Sequence, residues 1–192
     1  TFSFISPKYY DAIALPADSS LRTSVVISNP LGEDTSVMRT TALPSLMEVL
    51  QRNNNFSNQN VRLFEMATIY LPDENPANLP EEKTVVTVGM YGDADFYDMK
   101  GYCENILDML GITGYEFVAN TEAPAFHPGR CASVVSRDGQ RLMVLGQVHP
   151  EVQETYGLDV ESYVIVCDTE LLVSMENFDK HYKALPKFPA SE

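Results

Sequence analysis

Two histidines stand in motifs that could support metal binding or acid–base chemistry. The first begins His127-Pro-Gly-Arg130, and the second begins His149-Pro-Glu151. The spacings HxH, HxxxH and HExxH are absent from the sequence. Pro-Gly is also typical of a turn, and a proline often opens a helix. The sequence therefore favours a local role for both rings, as a cap or as a packed side chain.

A group of carboxylates, Asp93, Asp95 and Asp98, could in principle bind a divalent cation. An EF-hand loop requires an oxygen ligand at its fifth position and glycine at its sixth, where this sequence has Tyr97 and Asp98. Acidic residues at the start of a helix are also favoured by the helix dipole, without a metal. We therefore predict a helix N-terminus here and no metal ligands in the chain.

Other signatures of catalysis or cofactor binding are missing from the sequence. It contains no GxGxxG, GxxxxGK[ST] or GxSxG motif. Cys103, Cys131 and Cys167 are odd in number and far apart, which predicts free thiols in a reducing, cytoplasmic environment. From chemistry alone we predict no catalytic residue and no cofactor-binding residue.

The charge of the chain is strongly and unevenly negative. The net charge is −14 over 192 residues, and eleven acidic residues lie between Asp73 and Glu122 against Lys83 and Lys100. Such a segment repels phosphate, which argues against its direct binding to nucleic acid. No apolar run approaches the ~20 residues of a membrane-spanning helix, so we predict no membrane partner.

The stretch over residues 29–52 predicts a turn, an extended segment over 35–39 and a helix over 42–52. Pro44 suits the first turn of that helix, and Thr40 or Thr41 can cap it. The asparagines at 53–55 are predicted to end it. Its apolar residues follow the helical spacing i, i+3, i+4 and i+7: Leu43, Leu46, Met47 and Leu50.

The remaining pattern alternates strands and short helices. We predict a central strand over 61–71, a buried strand over 84–91, a helix over 99–110, and a hairpin of 131–135 with 142–148 turning at Asp138-Gly139. Shorter strands are predicted over 1–5, 24–27, 115–118 and 162–168, and shorter helices over 6–14, 150–156 and near residue 171. This pattern favours an α+β fold with a mainly antiparallel sheet flanked by helices.

The whole pattern predicts one domain over residues 1–182. The proline-punctuated residues 183–192 are predicted to be a linker toward an absent C-terminal domain.

An ordered set of motifs resembles the β subunit of bacterial phenylalanyl–tRNA synthetase. The set begins with Asn29-Pro-Leu-Gly-Glu-Asp-Thr-Ser-Val-Met-Arg-Thr-Thr-Ala-Leu-Pro44 and spans essentially the whole chain. Its later members are Arg62-Leu-Phe-Glu-Met66, Asp98-Met-Lys-Gly101, His127-Pro-Gly-Arg130, Leu145-Gly-Gln-Val-His-Pro-Glu151 and Leu185-Pro-Lys-Phe-Pro189. The resemblance implies a class II aminoacyl-tRNA synthetase-like core that has lost catalysis.

The counterparts of two catalytic class II motifs agree with that loss. A working motif 2 resembles Phe-Arg-x-Glu at the end of a strand, and here the strand over 62–70 runs into Leu71-Pro-Asp-Glu74. A working motif 3 resembles a glycine-rich strand followed by a helix beginning Glu-Arg, and here Glu170 is followed by Leu171. Without those two arginines, the charge that develops during adenylate formation has no cationic partner.

The resemblance also implies a partner subunit, on which catalysis takes place. The partner is the catalytic α subunit in an (αβ)2 assembly, which uses ATP and Mg²⁺ and acts on tRNA. Arg39, Leu46, Met47 and Leu50 are the candidate interface residues of this chain. The three apolar side chains could face either the sheet or the partner, and Arg39 could instead be a salt-bridged strand end.

Two other functions are compatible with the sequence. One is an active class II ligase-like paralogue in which Arg39 or Arg130 replaces the missing arginines. The other is an acidic protein-interaction domain without a role in translation.

Overall fold

The residues that the structure describes form eight strands and five α-helices. The computed structural model describes residues 1–75 and 77–179. The strands are β1 (Phe4–Ile5), β2 (Val37–Met38), β3 (Val61–Leu71), β4 (Glu81–Tyr91), β5 (Tyr115–Ala119), β6 (Phe126–Ser136), β7 (Arg141–Val148) and β8 (Ser162–Asp168). The helices are α1 (Tyr9–Ala12), α2 (Leu43–Asn55), α3 (Phe96–Met109), α4 (Pro150–Thr155) and α5 (Thr169–Ser174).

Six strands form one sheet in the order β3-β4-β8-β7-β6-β5, and every neighbouring pair is antiparallel. The predicted α+β class with a mainly antiparallel sheet is confirmed. The hairpin of β6 and β7 turns at Gly139, whose φ of 81° is accessible to glycine without strain. The short strands β1 and β2 pair separately.

Helices cover the two faces of the sheet unequally. Helix α2 packs on β3 and β4 at the face that we call the front. Helices α3 and α5 pack on the opposite face, the back, over β7 and β8. Among the described residues, the two largest clusters of buried apolar side chains lie below α2 and below α3 and α5.

Helix α3 forms where the sequence predicts a helix, but it begins at Phe96, three residues before the predicted start at residue 99, because Asp95 is its N-cap. The Asp95 side chain accepts hydrogen bonds from the backbone N–H groups of Tyr97 and Asp98, and the Asp98 side chain accepts one from the N–H of Asp95. This reciprocal capping box satisfies N–H groups that would otherwise lack partners. Gly111, with φ of 68°, follows the helix end.

The strand over 61–71 is an edge strand, and its prediction as a central strand is wrong. Only β4 pairs with it inside the large sheet. At its outer side, the N–H of Tyr70 donates to the carbonyl of Arg39 at 2.9 Å. The apolar second half of β3 thus packs under α2 and beside the β2 segment, which explains an apolar composition outside the sheet centre.

Three boundaries near the N-terminus also differ from the prediction. Residues 24–27 form an isolated bridge, Val26 with Val37, and not a strand. Helix α1 begins at Tyr9, after residues 6–8, and so is shorter than predicted. Helix α2 continues through the asparagines at 53–55, and the chain leaves it at Ser57, whose φ is 60°. The predicted linker over 183–192 lies outside the described residues.

Candidate subunit interface and sheet cleft

Arg39 lies inside the chain and connects β2 to the edge strand β3. Its side chain is 3% exposed. The Nε atom donates to the carbonyl of Thr68 at 2.9 Å, and Nη1 donates to the Thr1 hydroxyl at 2.6 Å. Nη1 also lies 3.4 Å from Glu65 Oε1, forming an ion pair. Of the two roles that the sequence left open, the structure shows the salt-bridged strand end.

The apolar residues of α2 face the sheet. Leu46, Met47 and Leu50 are 1%, 0% and 0% exposed. The Cδ1 atom of Leu50 lies 3.1 Å from the position that a β-carbon on Gly89 would occupy, so α2 sits directly on β4. The inward orientation is therefore the observed one. Direct contact of these residues or Arg39 with a partner subunit stays a prediction, and the exposed apolar residues lie elsewhere.

Exposed apolar side chains gather on the back face beside β3, and we call this group the back apolar surface. Phe64 and Met66 alternate with Glu65 along β3, so both point to the face opposite α2. They are 74% and 68% exposed. A groove of about 670 Å³ runs from Phe64 to the ends of α3 and α5. The back apolar surface comprises Phe64, Met66, Tyr102, Met109 and Val173.

Sequence reasoning missed the back apolar surface because it placed β3 in the sheet centre. A central strand would have buried Phe64 and Met66 under neighbouring elements. The charged residues Arg62 and Glu65 in the same strand were the available signal, since charges are typical of edge strands.

The front face holds a cleft that α2 leaves uncovered, which we call the front cleft. Two adjoining cavities of about 620 and about 370 Å³ make up this cleft. Its floor contains Val144 and Val166, which are directly paired between the two middle strands β7 and β8. Both cavities are lined by Leu21, Thr41, Arg141, Val144 and Val166.

The segments that the resemblance aligns with motifs 2 and 3 have the predicted secondary structure. Strand β3 ends at Leu71, and β8 passes directly into α5 at Asp168. The Asp168 carboxylate accepts the N–H of Leu171 at 3.1 Å and so caps α5. Two cations that sequence reasoning did not propose as site residues, Lys83 and Arg141, line the cleft from other strands.

Both singled-out histidines make local hydrogen bonds, as the sequence favoured, but only His149 caps a helix; His127 lies within β6, so Pro128-Gly129 does not form the expected turn. His127 Nδ1 accepts the N–H of Gly129 at 3.0 Å. His149 Nδ1 accepts the N–H of Glu151 at 3.3 Å, at the start of α4. Within residues 1–75 and 77–179, no group of three or more His, Cys, Asp or Glu side chains is placed to hold a metal ion.

The three cysteines are buried and unpaired. Burial raises the pKa of Cys131 to about 11 and that of Cys167 to about 12. Burial also raises the pKa of Cys103. Because the thiolate is the reactive form, these environments suit packing and not nucleophilic chemistry.

The fold is that of class II aminoacyl-tRNA synthetases. The structure of Desulfitobacterium hafniense PylSc, a pyrrolysyl tRNA synthetase, superimposes with a TM-score of 0.70 at 17% identity, covering 92% of this chain and 65% of that one. A crystal structure of pyrrolysyl-tRNA synthetase from the same organism gives 0.67 at 16% identity, covering 90% and 60%. At these identities the likeness concerns the fold alone.

Sequence comparison places the chain more narrowly. The family described as phenylalanyl tRNA synthetase beta chain CLM domain matches residues 1–169, and the chain belongs to this family. The phenylalanine–tRNA ligase beta subunit of Clostridium acetobutylicum is 46% identical over 188 residues, which are 98% of this chain and 24% of that protein. The Clostridium tetani subunit is 44% identical over 99% of this chain and 24% of its own length.

The chain thus spans about a quarter of the relatives that it matches. No helix among the described residues is long and apolar enough to cross a membrane.

Proposed function

We propose that this chain is a non-catalytic scaffold module of a phenylalanine–tRNA ligase β subunit, which binds the catalytic α subunit and helps to position tRNA. The whole enzyme would attach phenylalanine to its tRNA with ATP and Mg²⁺, used on the α subunit in an (αβ)2 assembly. Family membership and the class II fold support the proposal. The three buried, unpaired cysteines support a cytoplasmic location.

One observation carries the non-catalytic part of the proposal: the two class II segments that would clamp ATP contain no cation at the positions where one is needed. The sequence from Leu63 to Glu74 and that from Tyr163 to Leu172 lack arginine and lysine, and Arg62, the one cation of the strand over 62–70, lies at its far end and donates to the carbonyl of Asp93. Adenylate formation develops negative charge on phosphate, and positioned cations are a major means of stabilising it. Asp168 and Glu170 at the start of α5 instead add negative charge there.

The rival function, an active paralogue, would need replacement arginines. Arg39 is engaged with Glu65 and with the carbonyl of Thr68. Arg130 donates to Gln147 Oε1 at 2.7 Å and pairs with Glu161 at 3.3 Å. Both guanidinium groups thus have partners within the chain, which disfavours their use as phosphate clamps. An acidic interaction domain outside translation is disfavoured by the family membership.

The back apolar surface is the better candidate for the contact with the α subunit. Solvent-exposed apolar groups gathered in one patch mark interaction surfaces more often than scattered ones do. Aromatic and methionine side chains are also enriched at protein interfaces, and Phe64, Met66, Tyr102 and Met109 are of these kinds. Phe64 and Met66 lie on an edge strand of the large sheet, which leaves room beside them for the α subunit to approach.

Two experiments test the proposal. The first is ATP–pyrophosphate exchange that depends on phenylalanine: the chain alone should show none, and the chain with the α subunit is the comparison. Robust turnover by the chain alone would overturn the non-catalytic assignment. The second is co-purification with the α subunit, for which the doubly substituted F64S/M66S chain should lose at least about tenfold in affinity.

A matched control distinguishes a specific interface from non-specific binding through exposed apolar side chains. Phe56 is 75% exposed at the end of α2, away from the back apolar surface. Phe56→Ser should leave capture of the α subunit unchanged. Equal losses of affinity in Phe56→Ser and F64S/M66S would reject this surface as the interface but not the scaffold role. Failure of the unmodified chain to capture the α subunit would reject the scaffold role itself.

A further inference from the structure

Strand β5 ends the large sheet on the side opposite β3, and its outer edge is regular. It pairs with β6 alone, and that pairing contains no bulge. The strand also contains neither proline nor lysine, although these residues and bulges are the usual devices that protect a sheet edge from further pairing. Glu116 is the one charged residue in the strand. The form of this edge therefore suits the addition of a further strand.

The register of β5 and β6 shows which backbone groups of β5 point away from the sheet. Just beyond the end of β5, the N–H of Asn120 donates to the carbonyl of Cys131 at 3.0 Å, and the register continued from the strands places these two residues opposite each other. Hydrogen-bonded and non-hydrogen-bonded pairs alternate along an antiparallel ladder. Glu116 and Val118 therefore also bond to β6, and the residues between them bond to nothing in it.

The outward-facing backbone groups of β5 are those of Tyr115, Phe117 and Ala119. Among the residues that the structure describes, no hydrogen bond reaches these N–H and C=O groups. Ala119 is exposed, and its neighbour Val118 is 44% exposed. The rings of Tyr115 and Phe117 pack edge to face on the back of the sheet, with centroids 5.9 Å apart, and so do not cover the edge. The edge thus offers a row of donors and acceptors to an extended segment.

The surroundings of this edge are acidic. Glu116 on the front and Asp108 at the end of α3 are exposed, and neither has an ion-pair partner in residues 1–75 and 77–179. Burial raises the pKa of Tyr115, and the charges of Asp108 and Glu104 raise it further. Lys100 lowers the same pKa, but its charge is paired with that of Glu104. The carboxylates beside the edge are therefore in excess.

Two exposed arginines in the neighbouring hairpin do not remove this excess. Arg137 is followed directly by the exposed Asp138 in the turn between β6 and β7. Arg141 lines the larger cavity of the front cleft together with the exposed Glu122. Each arginine is thus accompanied by an acidic residue of its own. Because like charges repel, the edge disfavours a second copy of this chain, whose net charge is −14, and favours a segment with positive charge.

We propose that the open edge of β5 is a docking site for a basic, extended segment of another protein, which adds to the sheet as a further strand. Its backbone bonds to the outward groups of Tyr115, Phe117 and Ala119. Its side chains alternate, with lysine or arginine opposite Glu116 on the front and apolar residues beside the aromatic rings on the back. This site does not require the α subunit, so the inference stands or falls separately from the scaffold role.

Amide hydrogen exchange, followed by NMR on the whole 192-residue chain, tests the site. The probe is a short capped peptide of alternating lysine and valine residues. The peptide should slow exchange at the outward amides of Tyr115, Phe117 and Ala119, because they gain hydrogen bonds. The amides of Glu116 and Val118 already bond to β6, so their exchange should change much less. This alternation along one strand is a signature that non-specific attraction to an acidic chain would not produce.

Two control peptides separate backbone pairing from charge. A peptide of alternating glutamate and valine has the same pattern and the opposite charge, and it should bind at least about tenfold more weakly. A lysine–valine peptide that is N-methylated at each valine keeps its charge but loses the N–H groups that would face Phe117. It should also bind at least about tenfold more weakly, since several hydrogen bonds are lost.

Substitutions in β5 test the edge from the side of the chain. Proline at residue 119 removes an outward N–H that the ladder with β6 does not use, so Ala119→Pro should weaken binding of the lysine–valine peptide at least about fivefold. Ala119→Ser keeps that N–H and is the matched control, with the affinity of the unmodified chain. Glu116→Gln should weaken binding by about two- to fivefold, because it removes one cross-strand charge pair.

Several results would overturn the proposal. They are equal binding of the N-methylated peptide, unchanged binding in Ala119→Pro, slowed exchange along β3 in place of β5, and no response at about 1 mM lysine–valine peptide. Slow exchange of the outward amides without any peptide would also overturn it. The edge would then be paired within the chain, or between two copies if the protection increases with the concentration of the chain. The amide spectrum shows whether each variant retains the native fold.

Discussion

Leu50 of helix α2 rests on Gly89 of strand β4, with its Cδ1 atom 3.1 Å from the position that a β-carbon at residue 89 would take. Leu46 contributes two further atoms at 3.3 Å from the same position. The absence of a side chain at residue 89 therefore sets how closely α2 approaches the front of the sheet. This contact is the reason that the helix predicted from sequence as a possible interface is committed to the core.

Enlarging residue 89 should destabilise the chain. Gly89→Val adds three carbons next to Leu46 and Leu50, and overpacking of this kind costs about 1–3 kcal/mol. Urea unfolding measures the loss. Gly101→Ala is the control, because residue 101 lies inside α3 with no atom within 4 Å of its β-carbon position; it should gain about 0.5–1 kcal/mol from its better helix propensity. A stable Gly89→Val chain would show that α2 can shift.

The carboxyl group of Glu65 should make stability depend on pH. Burial alone would raise its pKa, but hydrogen bonds from the Thr1 hydroxyl and amine and the charge of Arg39 hold the pKa below its ordinary value. A lowered pKa in the folded state contributes stability that is present above the unfolded pKa of about 4.3 and is lost as pH falls through the folded pKa. Glu65→Gln should therefore cost about 1–3 kcal/mol at pH 7 and progressively less below about pH 4.

Chemical unfolding at a series of pH values measures this difference. Glu116→Gln is the control, because Glu116 lies exposed on β5, on the other edge of the sheet from Arg39. Its stability curve should follow that of the unmodified chain. A Glu65→Gln difference that stayed constant between pH 3 and pH 7 would contradict the ionic explanation, and would point to lost packing.

Removing the N-cap of α3 should weaken that helix. Asp95→Ala deletes the acceptor for the N–H groups of Tyr97 and Asp98 and should cost about 1 kcal/mol in the free energy of unfolding. The control is Asp93→Ala, whose side chain takes no part in the capping box; its effect should stay within about 0.5 kcal/mol. Equal effects of the two changes would argue that general charge, and not the cap, is responsible.

The cysteines should react slowly while the chain is folded. Burial disfavours the thiolate at Cys103, Cys131 and Cys167, raising the pKa of Cys131 to about 11 and that of Cys167 to about 12. At pH 8, a colorimetric disulfide reagent should therefore label the thiols of the folded chain only as fast as local opening exposes them. In denaturant, the same reagent should label all three thiols rapidly. Rapid labelling of one thiol in the native chain would contradict its buried position.

Local sequence signals predicted those elements whose stability is local. The hairpin at Asp138-Gly139, the helix start in the acidic stretch over 93–98 and the proline-initiated helix at Pro150 each depend on residues within a few positions of one another. The sequence did not specify that Asp95 is the N-cap, and the predicted start was three residues late. The family motifs predicted the class II fold. Their order along the chain carried that prediction, which no single motif would have done.

Tertiary structure alone decided which faces are buried and which are open. The order of strands in the sheet depends on pairing between distant segments, and this order made β3 an edge and left Phe64 and Met66 exposed. The same holds for the front cleft, where Arg141 from one hairpin and Lys83 from another line a shared cavity. Periodicity predicts which residues share a face, whereas only the assembled sheet determines what covers that face.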